Sequence, residues 1–507
     1  MAAILAFALG AAVLTACSGA DSSGSSSGTL NYGFDFSSES SGTLDTATSK
    51  SNCDGILMAP VYGSLINVDD KGQLQPGFAK SWDVSADGMT VTLHLRPDVK
   101  FSDGTAYDAN AVVAGLKHNQ LNTDQLTSIQ HVKNFTVVDP LTVKMELKDK
   151  TSLLLLYGLN GRDGYIIGSN SLGSADTKPI GAGPYSVVSY SPGSSLKLKK
   201  YDGYYDTSQY GIPNIDFKQV GVGPQSVTAL KSGAVDYVQV QPEGFDALKG
   251  DKKYKVAVQP STAYLQFEFR NEGPFANQKV RQAIEYAINR EEINKTVNYG
   301  QGEVASQQYP KNSTAYNPDL AGMYPYNPTK AKELLADGGY PNGFNMTMVI
   351  PGGNIANMER QGALVQKQLA DVGINASIER INGSDIATGY YIGKKGDAFV
   401  AAELGDWYTP NKLWDNWGKG QFVAIYDNAE RQDLTDIGKQ AFAATDPAEL
   451  TKLVKSGEKI VMDEALDVPI AFVPQFAAYN ADRLTGSVHA QTDICNPPDL
   501  RGMKLKG

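Results

Sequence analysis

The stretch MERQGALVQKQLADVGINASI, Met358 to Ile378, decides the class of fold. Met358, Gly362, Val365, Leu369 and Val372 recur at spacings of four and three, which places them on one core-facing stripe of an α-helix. Gly373 supplies a residue at which helices commonly stop, and Ile374, Ala376 and Ile378 then alternate at the period of a β-strand. A helix that ends in glycine and runs straight into a strand is the building unit of an α/β layer. Upstream, Val280, Ala283, Ile284, Ala287 and Ile288 fall at i, i+3, i+4, i+7 and i+8 and predict a second amphipathic helix.

Before Arg270 the dominant pattern has period two. In MTVTLHLR, Met89 to Arg96, the apolar Val91, Leu93 and Leu95 alternate with Thr90, Thr92 and His94, so one face is buried and the other wet. Asp87-Gly88 and Asp103-Gly104 flank it as turn signals. Leu141, Val143, Met145 and Leu147 repeat the alternation, as do Leu196 and Leu198. A strand-rich first half and an α/β second half, over 507 residues, imply two or more lobes. There is no internal repeat or coiled-coil run.

The N-terminus has a different character. Residues 1–16 are uncharged and almost wholly apolar, too short to span a bilayer and suited to the apolar region of a secretory signal. Leu14-Thr15-Ala16-Cys17 resembles a bacterial lipobox, which makes Cys17 the lipidated first residue of the mature chain. The Ser/Gly tract of residues 17–29 reads as a flexible tether. Its Gly24-Ser25-Ser26-Ser27-Gly28 matches the G-x-S-x-G pattern formally, but the strand and helix that a nucleophile elbow needs are missing from such a composition. With 45 basic and 55 acidic side chains the net charge is −10, which argues against nucleic acid or anionic lipid as partner. Cys53 and Cys495 stand near opposite ends of the chain; in an exported protein they either form a disulfide or remain two unpaired thiols.

LQPGFAKSWDVSADGMTVTLHLRPDVKFSDGTAYDANAVV, Leu74 to Val113, resembles the signature region of the bacterial extracytoplasmic solute-binding proteins of family 5, the peptide/nickel group that serves ABC importers. The resemblance continues in PIGAGPYSVVSYSPG (179–193), ALKSGAVD (229–236), FANQKVRQAIEYAINREEI (275–293), NPTKAKELLADGGYPNG (327–343) and VPIAFVP (468–474). It implies an α/β, periplasmic-binding-protein-like two-lobed clamp of the large type II peptide-binding kind. Lobe I is expected from residues 30–84, 172–267 and 477–507, an inserted subdomain of lobe I at 85–171, and lobe II at 268–476. Two crossings, near Phe267–Arg270 and Pro474–Tyr479, are expected to act as hinge strands.

ELGDWYTPNKLWDNW, Glu403 to Trp417, carries the expected ligand site. Gly405-Asp406-Trp407-Tyr408-Thr409-Pro410 is similar to the motif whose aspartate, in peptide-binding members, pairs with the ligand's α-ammonium group. A carboxylate buried on closure favours a ligand that brings a cation to it. Asp406 equally suits a turn before Pro410, and both readings stay open. Trp407, Tyr408 and Trp414 offer flat faces for apolar side chains, sugar rings or cations, with Trp414 and Trp417 alternatively a core pair. Arg360 is a candidate for a ligand carboxylate through its bidentate fork, or a solvated residue at a helix start. Ser38 to Asp45 resembles the family's first-lobe loop near the cleft, with Thr46 where typical members carry proline.

The four histidines, His94, His118, His131 and His489, form no metal-binding spacing, and no catalytic motif survives inspection. No cofactor, metal or enzyme activity is expected. The resemblance implies a monomeric, extracytoplasmic receptor that hands a short peptide or related amine-bearing solute to ABC permease subunits. An oligosaccharide receptor is the alternative within the family, and a secreted hydrolase or sensor the alternative outside it.

Overall fold

The computed structural model of the chain describes residues 28–37, 40–69, 72–122, 128–221, 223–261, 263–352, 356–382, 386–403, 431–489, 495 and 497–506. The leader expected at 1–16, Cys17 and the tether up to residue 27 lie outside the described residues. So do positions 38–39 and the whole of 404–430, which holds Gly405, Asp406, Trp407, Tyr408, Trp414 and Trp417. Among the described residues no helix is long and apolar enough to cross a membrane.

The alternating stretches are strands with one buried face. Thr90–Leu95 buries Val91, Leu93 and Leu95 and leaves Thr90, Thr92 and His94 partly exposed. It lies in a four-stranded antiparallel sheet in the order Ala79–Val84, Thr90–Leu95, Thr142–Leu147, Val132–Asp139. This first half also carries helices between its strands. Ala109–Asn119 starts where the Asp108 carboxylate accepts from the Ala111 N–H at 3.0 Å, a side-chain cap that satisfies an otherwise orphaned donor.

Two larger sheets dominate. The first runs Tyr254–Gln259, Gln475–Asn480, Tyr237–Val240, Thr29–Phe34, Asn214–Gln219, Ser195–Lys200, Tyr185–Ser191. Its apolar core includes Leu30, Tyr32, Leu196, Leu198 and Phe217. The second runs Glu303–Val304, Val468–Phe472, Tyr264–Phe269, Ala398–Glu403, Phe344–Gly352, Ile374–Asn382. Within it the helix Ala356–Ala370 links the parallel strands Phe344–Gly352 and Ile374–Asn382. Gly373 turns that helix into its strand at φ 97°, a conformation that costs a side-chain-bearing residue free energy. Gly362 has a second role: a Cβ there would come within 2.2 Å of Ile350 Cδ1, so the glycine lets the helix lie close on the sheet. Helix Gln278–Ala287 buries Val280, Ala283, Ile284 and Ala287 against the same core.

The chain passes between the large sheets twice, after Gln259 and at Val473–Pro474, and the two passages are tied together by the Val473 N–H donating to the Ala263 carbonyl at 2.8 Å. Phe267 and Phe269, near the first expected crossing, lie within a strand of the second sheet, and Gln475–Asn480 lies within the first. The small sheet does not stand alone either. Leu153 and Leu156 of helix Ser152–Gly158 belong to one continuous apolar core with Leu434 of helix Gln432–Ala443 and with Leu450 and Val454 of helix Pro447–Asp463.

Cys53 and Cys495 are joined as a disulfide with Cα atoms 4.1 Å apart across a sequence separation of 442. A link over so long a loop restricts the unfolded chain strongly. Replacing both residues by serine should therefore destabilise the protein by about 2–5 kcal/mol. The check is the urea midpoint of the double variant; an unchanged midpoint would contradict the expectation.

Glu285, fully buried in helix Gln278–Ala287, pairs with Arg290, whose Nε also donates to the Pro469 carbonyl at 2.8 Å. Burial pushes the Glu285 carboxyl up to about 7 from its ordinary 4.5, against the attraction of Arg290, and nearby Asp467 adds to the rise. Between those two values the unfolded chain has lost a proton that the folded chain keeps, so this residue's contribution is complete below pH 4.5 and is lost as pH rises to about 7. Thermal unfolding across that window should show a wild-type Tm that declines relative to Glu285→Gln. Parallel Tm profiles for the two proteins would show that the group does not titrate there.

Candidate functional site

The loop that follows strand Thr29–Phe34 is built on buried carboxylates. Asp35 accepts from the Ser37 N–H at 3.0 Å and from Gln219 Nε2 at 2.8 Å, which ties the loop to the neighbouring strand Asn214–Gln219. Asp54, with no exposed surface, accepts from Ser40 Oγ at 2.6 Å, the Ser41 N–H at 2.8 Å, Ser49 Oγ at 2.7 Å and Ser41 Oγ. Charge-assisted hydrogen bonds of this kind make burial of a carboxylate tolerable without a contacting cation. Asp176 likewise accepts from the Leu44 N–H at 2.7 Å and from Thr43 Oγ1 at 2.8 Å.

Asp45 stands 2.6 Å from His118 Nε2, at the last turn of helix Ala109–Asn119. Burial alone would raise its carboxyl, but the hydrogen bonds from His118 and the Ala47 N–H hold it below the usual carboxylate range. Thr46, where typical relatives carry proline, is buried and places its hydroxyl on Asn119 Oδ1 at 2.5 Å, while Asn122 Nδ2 donates to its carbonyl at 3.0 Å. The loop is thus held by side-chain hydrogen bonds at the position where proline would restrict the backbone directly. The loop reading of the Ser38–Asp45 stretch came from the family resemblance, and residues 38–39 lie outside the described residues; the carboxylates Asp54 and Asp176 carried no sequence signal of their role.

On the other side, strand Tyr264–Phe269 is buried on both faces. Leu265, Phe267 and Phe269 enter the core of the second sheet. The opposite face is polar: Gln266 Nε2 donates to Glu268 Oε2 at 3.2 Å, and the Tyr391 hydroxyl reaches the same oxygen at 3.4 Å. Gln361 Nε2 donates to the Gln266 carbonyl at 3.0 Å. Strand Ala398–Glu403 pairs antiparallel with this one, and Glu403 lies opposite Tyr264 beside the crossing. Glu403, the last described residue of this stretch, thus lies at the end of the sheet nearest the crossings, and Gly405, Asp406, Trp407, Tyr408 and Trp414 lie outside the described residues.

Arg360 is the expected site residue whose surroundings are described. It lies on helix Ala356–Ala370 and its Nη2 donates to Glu243 Oε1 at 3.0 Å, on helix Pro242–Leu248 beside the first sheet. Its Nη1 is 3.5 Å from the Tyr299 hydroxyl. Neither Glu243 nor Tyr299 was identifiable from sequence, because no motif or periodicity marks them. A separate cavity of about 550 Å³ opens between the small sheet and the helices of the second unit, with Trp82, Val84, Leu153, Tyr309, Leu450 and Val454 among its walls. Its apolar walls suit packing better than recognition of a charged solute. Among the described residues no group of three or more His, Cys, Asp or Glu could hold a metal ion. His94, His118 and His131 each pair instead with an aspartate.

Known proteins share this architecture over nearly the full length. The glutathione-binding protein GsiB of Escherichia coli (strain K12) is 29% identical over 471 residues, covering 88% of this chain and 89% of its own. The substrate-binding protein CtaP of Listeria monocytogenes superposes with a TM-score of 0.81 at 19% identity, over 95% of this chain and 99% of that one. The periplasmic binding protein DppA of Helicobacter pylori, solved with the peptide STSA, superposes with a TM-score of 0.73 at 19% identity, over 95% and 98%. The fold is accordingly that of the large α/β periplasmic binding proteins, and the proteins it resembles are substrate-binding proteins rather than enzymes. The model of the bacterial extracellular solute-binding proteins, family 5 Middle, matches residues 73–423, and the chain belongs to that family of ABC-importer binding proteins.

Proposed function

We propose that this protein is the lipid-anchored receptor of an ABC importer, capturing a short peptide or related amine-bearing solute by closure of two lobes and delivering it to the permease. The observation that supports this reading is the pair of adjacent crossings, bound to each other through Val473 and Ala263, which would serve as the short line of backbone about which the two large sheets rotate. Lobe I would comprise 30–84, 172–267 and 477–507 with the 85–171 subdomain, and lobe II 268–476. Asp406 would meet the ligand's ammonium group, with Gly405 allowing close approach and Trp407, Tyr408 and Trp414 covering its apolar parts. Cys17 and the tract to residue 29 would hold a monomeric receptor at the outer face of the membrane.

The relatives named as glutathione-binding proteins make glutathione, a tripeptide with a free α-ammonium group, the first solute to test. A ligand that binds only the folded state at a hundredfold excess over its Kd stabilises it by about 2.7 kcal/mol. Thermal unfolding should thus shift upward with glutathione or a short peptide, and Asp406→Asn should weaken that ligand about tenfold or more by removing the partner of its cation. A shift with oligosaccharides alone would favour the sugar-binding alternative, and a shift untouched by Asp406→Asn would remove the amine assignment. In bacterial cells, Cys17→Ala should move the protein from the membrane fraction to the soluble one; retention at the membrane would exclude the lipid anchor.

A further inference from the structure

The Arg360–Glu243 ion pair joins elements of opposite units. Helix Pro242–Leu248 packs beside strands Tyr237–Val240 and Tyr254–Gln259 of the first sheet, and helix Ala356–Ala370 packs on three strands of the second. The side chains are about a third exposed, 35% for Arg360 and 28% for Glu243, so the pair lies between surface and interior. Glu243 Oε2 is shielded from solvent and finds no hydrogen-bond partner among the described residues. In this arrangement the neighbouring cation that compensates the Glu243 carboxylate is Arg360.

A second feature converges on the same guanidinium. Tyr299, which follows helix Arg290–Val297, adopts φ 52°, a left-handed conformation that costs a bulky residue free energy. The Gly300 N–H donating to the Asn294 carbonyl at 3.1 Å fixes this turn. The turn brings the phenol within 3.5 Å of Arg360 Nη1 and the ring centroid within 6.0 Å of the guanidinium carbon. Tyr299 thereby orients Arg360 toward the opposite unit.

We propose that Arg360, Glu243 and Tyr299 form a clasp that holds the lobes together and populates the closed state before any solute binds. The proposal rests on the hinge-closure reading above. It makes Arg360 a positioning residue that neutralises a carboxylate of this chain. Opening exposes both charges to water, where they are readily solvated, so the clasp biases an equilibrium without locking it.

The test uses nitroxide labels at Lys231→Cys and Lys367→Cys, one exposed position in each unit, with Cys17→Ala in the full chain. Distances are measured by double electron–electron resonance without ligand. The wild-type background should show a short, closed distance and a longer, open one. Glu243→Gln or Arg360→Met should each lower the closed-to-open ratio about fivefold, and so should 1 M salt, where charges are screened within about 3 Å. The exchanged pair Glu243→Arg with Arg360→Glu should recover most of the ratio, which a merely local packing role would not do. Two populations in the same ratio in all variants would overturn the clasp and leave hinge closure standing. A wild type found only at the open distance would also overturn the clasp. One short distance in every protein, high salt included, would overturn hinge closure itself.

Discussion

Two strands of backbone carry the whole connection between the large sheets, and they touch. The Val473 N–H donates to the Ala263 carbonyl, and the Ser261 hydroxyl accepts from the Ala263 N–H at 3.0 Å. The proposed closure depends on this closeness. Two separated linkers would permit twisting and sliding, whereas two bonded ones restrict relative motion to bending about a common line. The proposed closure therefore needs no flexible segment inside either core.

The apolar seam between helix Ser152–Gly158 and the helices Gln432–Ala443 and Pro447–Asp463 modifies that picture. The small sheet is contiguous in sequence with the first unit yet shares its buried surface with helices of the second. An apolar seam favours contact without directionality, and an ion pair such as Arg360–Glu243 favours one register. Both kinds of contact join the units, one through buried apolar surface and the other through opposite charges. The cavity beside the seam means that this packing is incomplete there.

The loop after strand Thr29–Phe34 is restrained by carboxylates. Asp35, Asp45, Asp54 and Asp176 hold one loop through a dozen or so short hydrogen bonds, so its backbone is strongly restrained. The disulfide from Cys53 to Cys495 fastens the C-terminal tail beside the same loop. Thr46, buried in the same loop, is held through its hydroxyl by Asn119.

Periodicity alone determined a good deal. The stripe from Met358 to Val372, the stop at Gly373 and the alternation of Val91, Leu93 and Leu95 could be read directly, because burial on one face of a helix or strand imposes a repeat that local sequence must obey. The resemblance of ordered motifs to one family carried the rest of the architecture. Some features were not readable: the merging of the small sheet's core with the later helices, the buried Glu285 beside Arg290, and the meeting of Arg360 with Glu243 and Tyr299. The first and the last join residues distant in sequence, whereas Glu285 stands only five residues from Arg290 and owes its state to burial; none of these side chains carries a period. Only the completed tertiary packing brings the distant partners within bonding distance, and the energy of a charge depends on what the fold places around it.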